Sequence, residues 1–225
     1  MEKERIQVYV DSGNFYHLVL KKLNVHDVDF NFDKFANFLA KGRDIASEGK
    51  RFYIATVRDR KDEYENKEVM AKQNALFTNL IKAGNWIIKT SKLKTRIETI
   101  KIDSRVLNYQ EILRKGIKEF VYERSREKGI DVKISVDLIM GALDNKYDTA
   151  ILVSSDTDLV PALDLIRWRF KKKVEYVGFS LPKDESRGIN EETKPIPRMI
   201  ERTDALIGLV ESDIESFITK TLFSR

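Results

Sequence analysis

The chain has 225 residues, 42% of them hydrophobic, enough for one substantial core and too apolar for a disordered or fibrous chain. It has no cysteine and only two histidines, His17 and His26, so disulfides and thiolate metal sites are excluded and histidine-based zinc or acid–base schemes have little material. The net charge of +5 is mild. No apolar run approaches the ~18 residues of a membrane span, and the opening MEKERIQVYV has no apolar signal segment, so the expected setting is the cytoplasm.

Ile6 to Val10 reads as a short apolar strand ending in Asp11, with Ser12-Gly13-Asn14 as the turn and a helix from Phe15 to Leu23. Asp33 is expected to cap a second helix that carries Phe35, Phe38 and Leu39 on one face. Phe52 to Val57 is the next strand. A charged loop from Arg58 to Asn66 follows, then a helix over 68–82 and a third strand, Trp86 to Thr90. This alternation predicts an α/β sheet with mostly parallel strands. The rhythm then breaks. Arg96 to Ile102 and Lys118 to Glu123 read as strands around a short helix (Val106 to Leu113), a ribbon-like insertion over residues 94–128. After Gly129, with Asp131 as its expected cap, a helix runs to about Asn145. Ala150 to Ser155 is a buried strand, Leu159 to Phe170 a helix and Val174 to Phe179 the last core strand. Residues 180–197 hold three of the four prolines and read as a loop, and 203–221 as an amphipathic helix or a strand-plus-helix tail. The expected organisation is one domain over 1–180 with a C-terminal extension, 181–225, packed on it.

Two strands end in acids: the first at Asp11, a later one in Ser154-Ser155-Asp156-Thr157-Asp158. Open α/β sheets place their sites beyond the carboxyl ends of the strands, at the switch point in strand order. If these two strands are central neighbours, Asp11, Asp156 and Asp158 converge. Asp137, on a mostly apolar helix, is costly if buried unpaired and is better explained if it faces the same crevice. Clustered carboxylates repel unless a cation sits among them, and with oxygen ligands only, that cation is Mg²⁺ or Mn²⁺. Each acid also has a plainer reading: Asp11 as a turn or cap residue, Asp156 as an Asx-turn, Asp158 as a partner for a helix dipole, Asp137 as a surface pair with Lys133.

Basic residues are unevenly spread. Arg167 to Lys173 (RWRFKKK) carries five and no acid, and Lys89 to Arg105 carries six against two acids. An acidic site beside basic segments suits a protein that grips a polyanion, although solvated basic faces on an ordinary domain explain the composition equally. Tyr16 and Tyr53 are candidates for stacking on a base, set against a plain core role.

Three ordered segments resemble the NYN domain family, especially its LabA-like branch. They are Val8-Tyr-Val-Asp-Ser-Gly-Asn-Phe-Tyr16, Lys128-Gly-Ile-Asp-Val-Lys-Ile-Ser-Val-Asp-Leu138 and Tyr147-Asp-Thr-Ala-Ile-Leu-Val-Ser-Ser-Asp-Thr-Asp-Leu-Val-Pro161, with Val174 to Phe179 matching the next strand. The resemblance covers about residues 5–180. It implies a PIN-like three-layer α/β/α fold with a mainly parallel central sheet, here with a small β-ribbon and helical insertion. It also implies a Mg²⁺/Mn²⁺ pocket whose acids carry over onto Asp11, Asp137, Asp156 and Asp158. The implied activity is hydrolysis of RNA phosphodiester bonds, on single-stranded or structured RNA, with Asn14, Ser155, Arg58, Lys92 and Lys94 as candidate substrate contacts. The chain departs from the family pattern at Ser12 and Ser155, each standing where glycine is usual. A catalytically weak RNA-binding or regulatory module, conceivably a homo-oligomer, is the alternative. A dehalogenase-like phosphatase is disfavoured, because it needs Asp-x-Asp directly after the first strand and this chain has Asp-Ser-Gly-Asn.

Overall fold

The computed structural model describes residues 3–56, 63–92, 94–126 and 128–219. Strand β1 (Arg5–Asp11) leads into a one-turn helix, α1 (Ser12–Phe15), which continues as a π-helical turn (Tyr16–Leu20) and then a 3₁₀ turn (Asp27–Asp29). Then follow α2 (Phe32–Ala40), β2 (Asp44–Thr56), α3 (Glu63–Gly84), β3 (Ile87–Lys92), β4 (Lys94–Lys101), α4 (Tyr109–Arg114) and β5 (Glu119–Arg126). The chain closes with α5 (Ile130–Leu143), β6 (Thr149–Val153), a 3₁₀ turn (Thr157–Leu159), α6 (Val160–Trp168), β7 (Lys173–Ser180), α7 (Pro197–Glu201), β8 (Ala205–Val210) and α8 (Glu211–Glu215).

Six strands form one parallel sheet in the order β3-β2-β1-β6-β7-β8. The chain fills one half outward from β1 and then returns to β6 for the other, so the switch point falls between β1 and β6. Both faces of β1 are buried, which is why it reads as a nearly continuous apolar run. Ile6, Val8 and Val10 join a core with Phe52, Ile151 and Val177, while Tyr9 joins a second core with Tyr53, Leu138 and Leu152. The first core is aromatic. Phe15 packs against Phe30, Phe32 and Phe35, and Phe217 closes it at 5.9 Å from Phe30. The C-terminal segment therefore completes this layer, with β8 alternating out and in along the sheet edge (Ile207 and Leu209 buried).

Some expectations shift. The helix after Asp11 is a short α-helix plus a π-turn. Asn31, not Asp33, caps α2, accepting from the Lys34 amide at 2.9 Å, and Asp33 pairs instead with Lys50 at 2.5 Å. Helix α5 starts after Gly129 with no side-chain cap, so Asp131 lies in its first turn. The insertion is an antiparallel β4–β5 ribbon with α4 at its far end, standing off the sheet: Ile97, Leu107 and Val121 are exposed.

Candidate active site

β1 and β6 pair in register from Ile6↔Thr149 to Val10↔Val153, so their carboxyl-end loops emerge side by side. Asp11 is almost buried there, 8% exposed. Its Oδ1 accepts the Asn14 amide at 3.1 Å, which makes it the cap of α1, and its Oδ2 accepts the Ser154 hydroxyl at 3.1 Å. Ser154 Oγ in turn accepts the Asp156 amide at 3.2 Å, so one hydroxyl links the two acidic loops. A second link runs the other way, with Asn14 Oδ1 accepting the Ser155 amide at 2.9 Å. Asp156 Oδ1 accepts the Asp158 amide at 2.9 Å, an Asx-turn that opens the 3₁₀ turn before α6. Asp158 is exposed and Asp156 half-buried.

Burial pushes the Asp11 carboxyl above the usual carboxylate range. The hydrogen bonds from Asn14 and Ser154 work against that rise, and the charge of Asp156 adds to it. A desolvated carboxylate facing a second one is the environment that a cation relieves. Among the described residues, no group of three or more His, Cys, Asp or Glu is gathered closely enough to hold a metal ion by itself. Two carboxylates are nevertheless a fitting donor set for Mg²⁺, which is commonly held by one or two carboxylates and keeps several waters.

Asp137 does not join this group. Tyr53 Oη donates to its Oδ2 at 2.6 Å, Lys89 Nζ donates to its Oδ1 at 2.7 Å, and Arg51 lies at 3.3 Å. Burial alone would raise its carboxyl, but Lys89, Tyr53 and Arg51 win and hold it below the usual range. The reason is the direction of α5. Lys133 Nζ donates to the Thr90 carbonyl, the Asp137 carbonyl accepts from Tyr9 Oη at 3.5 Å, and a Cβ on Gly141 would meet Gln7 Oε1 at 3.2 Å. The helix thus runs antiparallel to the strands and carries Asp137 below the level of Asp11. The acid of α5 at the crevice end is Asp131, six positions and roughly 9 Å nearer the helix start at ~1.5 Å per residue. The spacing of residues along α5 could have revealed this, given that a helix leading into β6 must start at the carboxyl ends of the strands.

The other candidates are scattered. Asn14 is committed through its Oδ1 to Ser155. Ser155 donates its amide to Asn14, and its hydroxyl lies 2.6 Å from Tyr176 Oη. Lys92 is exposed at the carboxyl end of β3, and Lys94 opens β4 directly beyond it. Arg58 lies outside the described residues. Tyr53 is fully buried and donates to Asp137, so it is a core residue, not a stacking platform. The basic run after α6 is at the wrong end of the sheet: Arg167 pairs with Asp204 at 2.8 Å, and Lys172 lies 3.5 Å from Asp148, beside the start of β6.

A doubly wound, mainly parallel sheet with a buried carboxylate at its switch point defines a PIN-like α/β/α protein. The chain matches the NYN domain over residues 5–197 and belongs to that family, whose domains are generally nuclease-like. Among solved structures it is similar to a protein of unknown function from Vibrio parahaemolyticus, at 18% identity and a TM-score of 0.48, over 94% of this chain and 98% of that one. No curated protein matches it. No helix among the described residues is long and apolar enough to cross a membrane.

Proposed function

We propose that the protein is a metal-dependent ribonuclease of the LabA-like branch, hydrolysing phosphodiester bonds of RNA in the cytoplasm. The observation that carries this reading is the hydrogen-bonded junction of the β1 and β6 loops, which sets the buried Asp11 within electrostatic reach of Asp156 at the switch point. Asp11, Asp156 and Asp158 would hold Mg²⁺ or Mn²⁺, with Asp131 from α5 in the place that the spacing of acids along the chain suggests for Asp137. An ion bound there supplies a water of lowered pKa and neutralises charge developing on the phosphate.

The chain's own residues do the positioning. Ser154 and Asn14 fix the Asp11 carboxylate through both its oxygens, so its direction does not change as substrate arrives. Lys92 and Lys94, with Arg58, are the proposed phosphate contacts, on the same end of the sheet as the acids. Asp137 is proposed to act at one remove, holding Lys89 and the β2–β3 wall in place.

The test is cleavage of a labelled single-stranded RNA by the purified chain across a Mn²⁺ titration with an EDTA control. Cleavage that rises with metal and stops with EDTA supports the ribonuclease reading. RNA that is bound without metal and survives intact supports the alternative of a regulatory RNA-binding module.

A further inference from the structure

A cavity of about 510 Å³ lies beside the acidic crevice, within the size range of small-molecule sites. Ser12 and Gly13, the residues directly after Asp11, form part of its wall, so cavity and crevice share a boundary. Val28, Ile54 and Leu76 make much of its surface apolar. Its polar groups are few and convergent. Both histidines of the chain, His17 and His26, line it, together with Tyr16, Asp27, Lys72 and Gln73. An apolar slot with a few polar groups suits a flat heterocycle with a hydrogen-bonding edge.

Two of these polar groups already have partners. Lys72 pairs with Glu68 at 2.8 Å, and Gln73 Nε2 donates to the Ala55 carbonyl at 3.3 Å. Asp27 is different. Its Oδ1 is shielded from solvent and has no hydrogen-bond partner among the described residues. Buried polar atoms are normally satisfied, and an exception calls for a cause. The shielding also pushes the carboxyl up to about 6, so near neutrality it carries a charge that nothing nearby compensates.

We propose that this cavity is a nucleobase pocket and that Asp27 selects guanine in it. Guanine presents N1–H and N2–H₂ side by side, a donor pair that a carboxylate can accept through both oxygens. Adenine, cytosine and uracil offer no such pair on that edge. The Tyr16 and His17 rings, 5.5 Å apart and edge to face, flank the entrance side near α1 and provide a surface for the base. A base held here would bring the phosphate attached to its nucleotide toward Asp11. The inference deepens the ribonuclease reading and takes its ligand class from it.

The experiment measures binding of GMP, AMP, CMP and UMP to the full chain by calorimetry in EDTA, alongside cleavage of RNA oligonucleotides with metal. GMP is expected to bind about tenfold or more tighter than the other three, the scale a paired hydrogen-bonding edge sets. D27N, which keeps the shape and removes the charge, should erase that preference, while D156N should retain it. Equal binding of all four nucleotides, no binding, or a guanine preference that survives in D27N overturns the proposal. The two readings fail separately. Metal-dependent cleavage without guanine bias removes the pocket and leaves the nuclease. GMP selectivity in a chain that cuts no RNA removes the nuclease and leaves the pocket.

Discussion

Asn14 Oδ1 accepts the backbone amide of Ser155 at 2.9 Å, so the loop after β1 and the loop after β6 are tied across the switch point by one side chain. The Asn14 amide also caps onto Asp11, which makes Asn14 a joint between Asp11 and the loop that carries Asp156. Asn14→Ala should cut this joint. The expected result is a loss of cleavage greater than tenfold with a small loss of stability, about 1 kcal/mol or a Tm decrease of ~2–4 °C. Parallel cleavage assays and thermal melts check it; a full-rate Asn14→Ala enzyme would mean that the junction does not position the acids.

Asp137 and Asp131 separate by the kind of damage their removal causes. Asp137→Ala leaves Arg51, 7% exposed, without its carboxylate partner and strips Tyr53 and Lys89 of theirs. Breaking a buried pair of this kind costs about 3 kcal/mol or more. Asp131→Asn, on a half-buried first-turn residue, should leave the Tm within about 2 °C and lower the cleavage rate. Denaturation midpoints and rates for the two variants make the comparison. The reverse pattern would return Asp137 to the catalytic group.

The depressed Asp137 carboxyl also has a pH signature. Its folded-state pKa lies below the unfolded value, so its stabilisation is present above the ordinary value of 3.8 and is lost as pH falls through the folded value. The stability gap between wild type and Asp137→Asn should therefore be constant from pH 5 to 8 and narrow in acid. Urea melts as a function of pH measure it.

Asp27 has the opposite sign. Its carboxyl is pushed from 3.8 up to about 6, so ionising it costs stability as pH rises between those values, and the cost is complete above them. Asp27→Asn should match wild type near pH 4 and exceed it at pH 7 by about 2 kcal/mol, allowing for partial exposure of the side chain. Melts at the two pH values check this.

Helix α5 packs on β1 at Gly141, where a Cβ would come within 2.8 Å of the Tyr147 ring and 3.1 Å of Tyr9 Oη. Gly141→Ala should lift the helix at a cost of about 1–3 kcal/mol and loosen the Asp137–Tyr53 contact with it. A Tm unchanged from wild type would show that the helix yields without strain.

The sheet was legible because its strands are written as short apolar runs with acids at the ends of two of them. Asp11 and Asp156 could be paired on that basis before any strand order was known. The order itself was not legible, since nothing local to Ile6–Val10 or Ala150–Val153 names its neighbour. Asp137 misled because a carboxylate on an apolar helix signals burial but not level. Its partners, Arg51 on β2 and Lys89 on β3, are 86 and 48 positions away in the chain. The RWRFKKK run misled for a simpler reason: a helix that begins at the carboxyl end of the sheet, as α6 does after Asp158, must end at the other. The C-terminal tail read as strand or helix because β8 is short and half-exposed at the sheet edge, and only its pairing with β7 makes it a strand.

The central claim is that Asp11 and Asp156 form the core of a metal-dependent cleavage site. The direct measurement is the Mn²⁺-dependent cleavage rate of a single-stranded RNA oligonucleotide by wild type and by Asp156→Asn, with circular dichroism to establish that both are folded. The account predicts metal-dependent cleavage by wild type and a rate at least about 100-fold lower for Asp156→Asn, the scale of removing a group that acts in the reaction. An Asp156→Asn protein that cleaves at the wild-type rate, or wild-type cleavage undiminished in EDTA, would contradict it.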